Sequence, residues 1–84
     1  MNTSTLQPKS TLIGRKQLAE LTGSRDSTLK FYSEEGLLPY HQAGAGLARR
    51  YDRREATSRL QEIENLQSLG CSIEQIKNRL VPAR

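Results

Sequence analysis

Residues 24–51 read SRDSTLKFYSEEGLLPYHQAGAGLARRY, and this stretch decides the fold. Leu29 and Tyr32 form a narrow apolar stripe at helical spacing, which leaves Ser27, Lys30, Phe31 and Glu34 on the solvent side. A large aromatic beside a lysine on a wet face is hard to explain by packing. Hydroxyls, a cation and a flat apolar group are what a helix lying in a DNA groove needs there. Gly36 closes the helix after Glu35. Leu37, Leu38 and Pro39 then suit a short extended segment, residues 41–46 supply two glycines for a turn, and residues 47–51 can return as a partner strand. The return strand carries Arg49 and Arg50, and with Arg53, Arg54 and Arg59 five basic residues fall within eleven positions. Guanidinium forks suit phosphate oxygens, and such contacts fix a protein's register on a duplex while supplying most of its salt-dependent affinity. Arg49 and Arg50 are therefore expected on phosphates. Arg59, a turn or more into the next helix, is expected on a solvated face near Glu62.

Working outward toward the N-terminus, Leu18, Ala19 and Leu21 suit a first helix over residues 15–22, and Gly23 sits where a left-handed residue would stop it. The second helix can begin near Ser24 or Arg25, with Ser24 as its cap. Two short helices joined through a glycine form the helix-turn-helix pattern, whose second helix enters the major groove, although helical hairpins of this kind also occur in proteins that bind nothing. Residues 1–12 are polar and interrupted by Pro8, which predicts a flexible arm. On the other side, residues 52–69 read as the longest helix, with Asp52 and Glu55 in a capping-box relation and Ala56, Leu60, Ile63, Leu66 and Leu69 along one face. A second cap, Ser72 with Gln75, opens a helix whose apolar side is Ile73, Ile76 and Leu80, and Pro82 stops it. The predicted fold is mainly α: a winged helix-turn-helix over residues 13–84, with about four helices and a two-stranded β wing.

Composition narrows the function. At 84 residues and 35% hydrophobic content, the chain is one small domain with little room for an enclosed catalytic cleft. His41, the only histidine, lies in the wing turn, and no nucleophile, base and orienting group converge by spacing, so no enzyme is expected. Cys71 is alone, which excludes an intramolecular disulfide and a multi-cysteine metal site, suits a reducing compartment, and reads as a small buried hydrophobe. No cofactor or metal is expected. A net charge of +4 favours a polyanionic partner. The opening MNTSTLQPKST has no apolar signal core, and no apolar run reaches the roughly 18 residues of a membrane span, which points to a cytoplasmic protein; the DNA expectation adds that it is nucleoid-associated.

The order LAELTG, TLKFYSEEGLLP, GLARRY and LQSLGCSIEQIKNRL resembles the DNA-binding domain of the MerR family, bacterial winged-helix regulators, over about residues 16–80. Its most specific parts are Phe31 and Tyr32 before Gly36, Leu37 and Leu38; Arg49 two before Tyr51; and the junction Leu69, Gly70, Ser72, Ile76. The resemblance implies that the second helix reads the major groove and that the wing grips the flanking backbone. Carried over, Ser27, Lys30 and Phe31 would face bases or adjacent phosphates, Tyr32 would be partly buried with its hydroxyl available to a phosphate, and Arg49 would be the wing clamp. The candidate contact set is Arg25, Ser27, Thr28, Lys30, Phe31, Tyr32, Arg49, Arg50 and Tyr51. The chain departs from the family pattern at Ser24 and Arg25, where an aliphatic residue and a serine cap are usual, and at Lys30, where the usual arginine would offer a bidentate fork. Ile13 and Gly14 stand two positions early. Family members that sense metals, drugs or oxidants continue into a long dimerisation helix and an effector segment, absent from this sequence, so no small-molecule effector is expected.

The leading reading is a sequence-specific double-stranded DNA-binding protein acting as a small transcriptional regulator, with self-association on DNA. An architectural accessory factor of the excisionase or segregation type is an alternative, and a protein-interaction module without DNA binding is another. Salt separates the last from the first two, because only duplex binding weakens steeply with ionic strength.

Overall fold

A computed structural model describes residues 12–81, in the order β1 (Leu12–Gly14), α1 (Arg15–Thr22), α2 (Asp26–Glu34), β2 (His41–Gln42), β3 (Arg49–Asp52), α3 (Arg53–Ser68) and α4 (Ile73–Leu80). The expected arm lies outside the described residues except for Leu12, which is strand. The sheet is antiparallel with order β1-β3-β2, so the hairpin is joined by a third strand that the sequence reading missed. Ile13 pairs with Tyr51, and alternation across the ladder turns both inward while Leu12, Gly14, Arg50 and Asp52 share the other face. No helix among the described residues is long and apolar enough to cross a membrane.

The core gathers one stripe from each helix around the inner face of the sheet: Leu18, Leu29, Tyr32, Leu37, Leu38, Tyr51, Ala56, Leu60, Ile63 and Ile76, with Ile13 from β1. α1 ends at Gly23 as expected. α2 begins later than expected: its N-cap is Arg25, which makes no side-chain cap, and Ser24 instead meets the Thr22 hydroxyl at 3.0 Å. Thr22 has spent its proton on the Leu18 carbonyl at 2.8 Å, so Ser24 is the donor of that contact.

α2 closes in a Schellman motif. Gly36, at φ 79, donates to the Ser33 carbonyl and Leu37 donates to Tyr32. That wrap turns Leu37 and Leu38 into the core rather than into the outgoing strand, which the sequence reading had started at Leu37. The wing ladder begins only at His41. Arg59 donates to the Leu37 carbonyl at 2.8 Å and lies 3.6 Å from Glu62, so its role is to hold this turn against α3. Lys77 of α4 reaches Glu35 at 3.1 Å and braces the same end of α2.

Asp52 caps α3 by accepting from the Glu55 amide at 2.9 Å, and Ser72 and Gln75 form the full capping box on α4. Leu69, expected on the inner face of α3, is 78% exposed. Nine residues after Leu60, it is turned by about 180° around the helix, because repeated steps of three lag the helical repeat. Cys71 takes the inward place instead, half-buried against the core after a second Schellman closure on Leu66.

Candidate nucleic-acid interface

α2 buries Leu29, Tyr32 and Ser33 and exposes Ser27, Lys30, Phe31 and Glu34, the division that its periodicity predicts. Phe31 is 44% exposed, with its ring tilted against Tyr32 at a centroid distance of 5.8 Å. Lys30 lies 4.0 Å from Glu34 one turn on, an open pair of little energetic weight that leaves the ammonium free to exchange partners. The stripe therefore offers a hydroxyl, an ammonium, an aromatic edge and a carboxylate to whatever lies across it.

On one flank of this stripe stands the wing. Arg49 and Arg50 are adjacent on β3, so strand geometry sends their side chains to opposite faces. Arg49 shares the inner side with Tyr51, and its guanidinium lies 4.7 Å from the centre of the Tyr40 ring, a cation–π contact that restricts the fork before any ligand arrives. Arg50 is exposed on the other face, opposite His41. Among the described residues neither arginine forms an ion pair, nor does Arg25 at the start of α2.

The other flank is a groove between α2 and α3, where Arg25, Thr28 and Tyr32 face Leu60, Ile63, Glu64 and Gln67. Thr28 is half-buried there, off the exposed stripe. Tyr32 is 8% exposed and its hydroxyl donates to Gln67 at a long 3.4 Å. The structure corrects Tyr51, which was expected to touch DNA: it is 0% exposed, and its hydroxyl lies 2.7 Å from that of Ser33. An aromatic at the centre of a three-stranded sheet, paired with Ile13 on its inner face, has no path to a phosphate.

The sequence reading missed Arg15, Asp26, Ser33 and Tyr40. Arg15 donates to Asp26 at 2.9 Å and so ties the start of α1 to the first turn of α2. The hydrogen bond to Asp26 raises the Arg15 pKa above the ordinary guanidinium value; partial burial opposes the rise, and the charge of Asp26 and the neighbouring Tyr51 add to it. A local signal for Arg15 existed. α1 opens with Arg15 and Lys16 and has no acid in its first turn, which sets cations against the positive end of the helix dipole.

The sequence matches the MerR HTH family of regulatory proteins over residues 15–81, most of the chain. No curated protein and no solved structure matches it significantly. The match takes in α1 through α4 and the wing, so the helix pair, the hairpin behind it and the bracing helices are the family's own parts: the chain belongs to the MerR family of helix-turn-helix regulatory proteins.

Proposed function

We propose that this protein binds double-stranded DNA sequence-specifically and acts as a small transcriptional regulator, with α2 in the major groove and the wing on the flanking backbone. The observation that carries the reading is the exposed stripe of Ser27, Lys30 and Phe31 beside a wing whose two arginines have no acidic partner among the described residues. Base edges are read by hydroxyls, cations and apolar groups, and phosphates by guanidinium forks. In this reading Ser27, Lys30 and Phe31 face the bases, and Arg25, Arg49 and Arg50 hold phosphates. Thr28 borders the site, and Tyr32 supports Phe31 from below.

A single module engages few phosphates and one half-site, so tight binding comes from copies seated side by side on the DNA. Such a protein works at the nucleoid. The test is fluorescence anisotropy with a duplex selected from random sequence, repeated over a salt series. Affinity is expected to fall steeply with salt, and Arg49→Ala to lower the log–log slope by about one, as loss of one phosphate contact requires. A salt-independent affinity, or no preference for the selected duplex, overturns the reading.

A further inference from the structure

The buried hydroxyl pair between the wing and α2 is unexplained by stability alone. Ser33 is 3% exposed in the last turn of α2, and Tyr51 lies fully buried in the middle of β3. The Ser33 hydroxyl lies 2.7 Å from the Leu29 carbonyl and also 2.7 Å from the Tyr51 hydroxyl. A carbonyl can only accept, so the single serine proton goes to Leu29, and Tyr51 must donate to Ser33. The chain of bonds thus has one direction, from the wing strand through Ser33 into the α2 backbone. Replacing both partners by apolar groups of the same shape is close to neutral for stability, whereas a hydrogen bond admits one distance and one orientation where apolar packing tolerates sliding. β1 and β2 pair with β3 within the sheet, and the Tyr51–Ser33 bond is the side-chain hydrogen bond between β3 and α2 among the described residues.

We infer that the Tyr51–Ser33 bond is a positioning device: it sets the angle of the wing against α2, and with it the spacing between the side chains of α2 and the wing arginines. Tyr51 stands two residues from Arg49 on the same side of its strand, and Ser33 stands on the same helix as Lys30 and Phe31. A shift at the bond moves one group of side chains relative to the other. The consequence for recognition rests on the proposed DNA reading; the consequence for geometry does not. Arg15, joined to Asp26 and adjacent to Tyr51, ties α1 into the same assembly.

Ser33→Ala, Tyr51→Phe and the double variant separate positioning from mere stability. Ser33→Ala takes the acceptor from the buried Tyr51 hydroxyl, whereas Tyr51→Phe leaves Ser33 donating to Leu29, so thermal stability is expected to drop most in Ser33→Ala and to recover in the double variant, which removes both hydroxyls. Positioning does not recover. At a temperature where all four proteins are folded, the double variant is expected to lose about tenfold in its preference for a duplex selected from random sequence over an unrelated one, with binding to the unrelated duplex unchanged. Residual dipolar couplings of the free protein are expected to report a changed wing orientation relative to α2. Unchanged preference in the double variant, or unchanged wing orientation, overturns the inference. If the unaltered protein binds neither duplex, the DNA reading fails, and the couplings alone then uphold or overturn the positioning claim. If the double variant does not fold, Tyr51→Phe serves for both readouts.

Discussion

Phe31 keeps nearly half of its surface in water on a helix that has a core side available to it. In the proposed reading the duplex covers this ring, so its contribution is to binding and not to the core. Phe31→Ala is expected to change thermal stability by less than about 0.5 kcal/mol, as for other surface sites, while lowering affinity for a selected duplex by roughly tenfold. Melting curves and anisotropy on the same samples check both halves. Tyr32 is the contrasting case. Among the described residues its hydroxyl reaches Gln67 alone, at 3.4 Å, so Tyr32→Phe is expected to change affinity by less than about twofold; a larger loss would mean that the hydroxyl leaves Gln67 for a phosphate. Ser27, Lys30 and Phe31 could be placed from the sequence because helical period alone decides which side of α2 is wet. Tyr51 could not. An aromatic hydroxyl beside two arginines looks the same whether it faces a phosphate or a serine, and its partner Ser33 lies 18 residues away.

The turn after α2 carries the wing, and its geometry depends on Gly36 at φ 79. A Cβ added there would meet nothing within 4 Å, so the cost of Gly36→Ala is that of the left-handed backbone alone, about 1 kcal/mol. Melting is expected about 4–8 °C lower, with partial recovery in Gly36→Asn, which tolerates that conformation better. An Ala variant with unchanged melting would contradict the Schellman closure. At α4, Ser72→Ala removes the acceptor for the Gln75 amide and is expected to destabilise by about 1 kcal/mol, read by denaturant titration. α1, α3 and α4 were legible because apolar spacing and caps are local signals. β1 was not: three residues carry no period, and the strand exists only because Leu12 and Ile13 meet Asp52 and Tyr51 from the far side of two helices. The outgoing wing strand was read too early for a related reason, since an apolar run can be strand or buried turn.

The net charge of +4 was plain in the sequence, but its distribution was not. Among the described residues, folding pairs Arg15, Lys30, Arg59 and Lys77 with acids; Arg25, Arg49 and Arg50 around α2 and the wing form no ion pair, and neither do Lys16, Arg53, Arg54 and Arg79. The Arg15–Asp26 pair also bears on pH. The folded-state pKa of Arg15 is raised, so its contribution is complete below the ordinary guanidinium value and is lost only as pH rises through the raised one. The stability difference between the unaltered protein and Arg15→Ala is therefore expected to stay constant through the neutral and mildly alkaline range, at no more than about 1 kcal/mol for so exposed a pair. Melting curves over that range check it. The most direct measurement of the whole arrangement is an amide NMR titration with a duplex selected from random sequence. Signals of Ser27, Lys30, Phe31, Arg49 and Arg50 are expected to shift together and saturably, and if they stay in place while the duplex is bound, α2 and the wing are not the DNA-binding face.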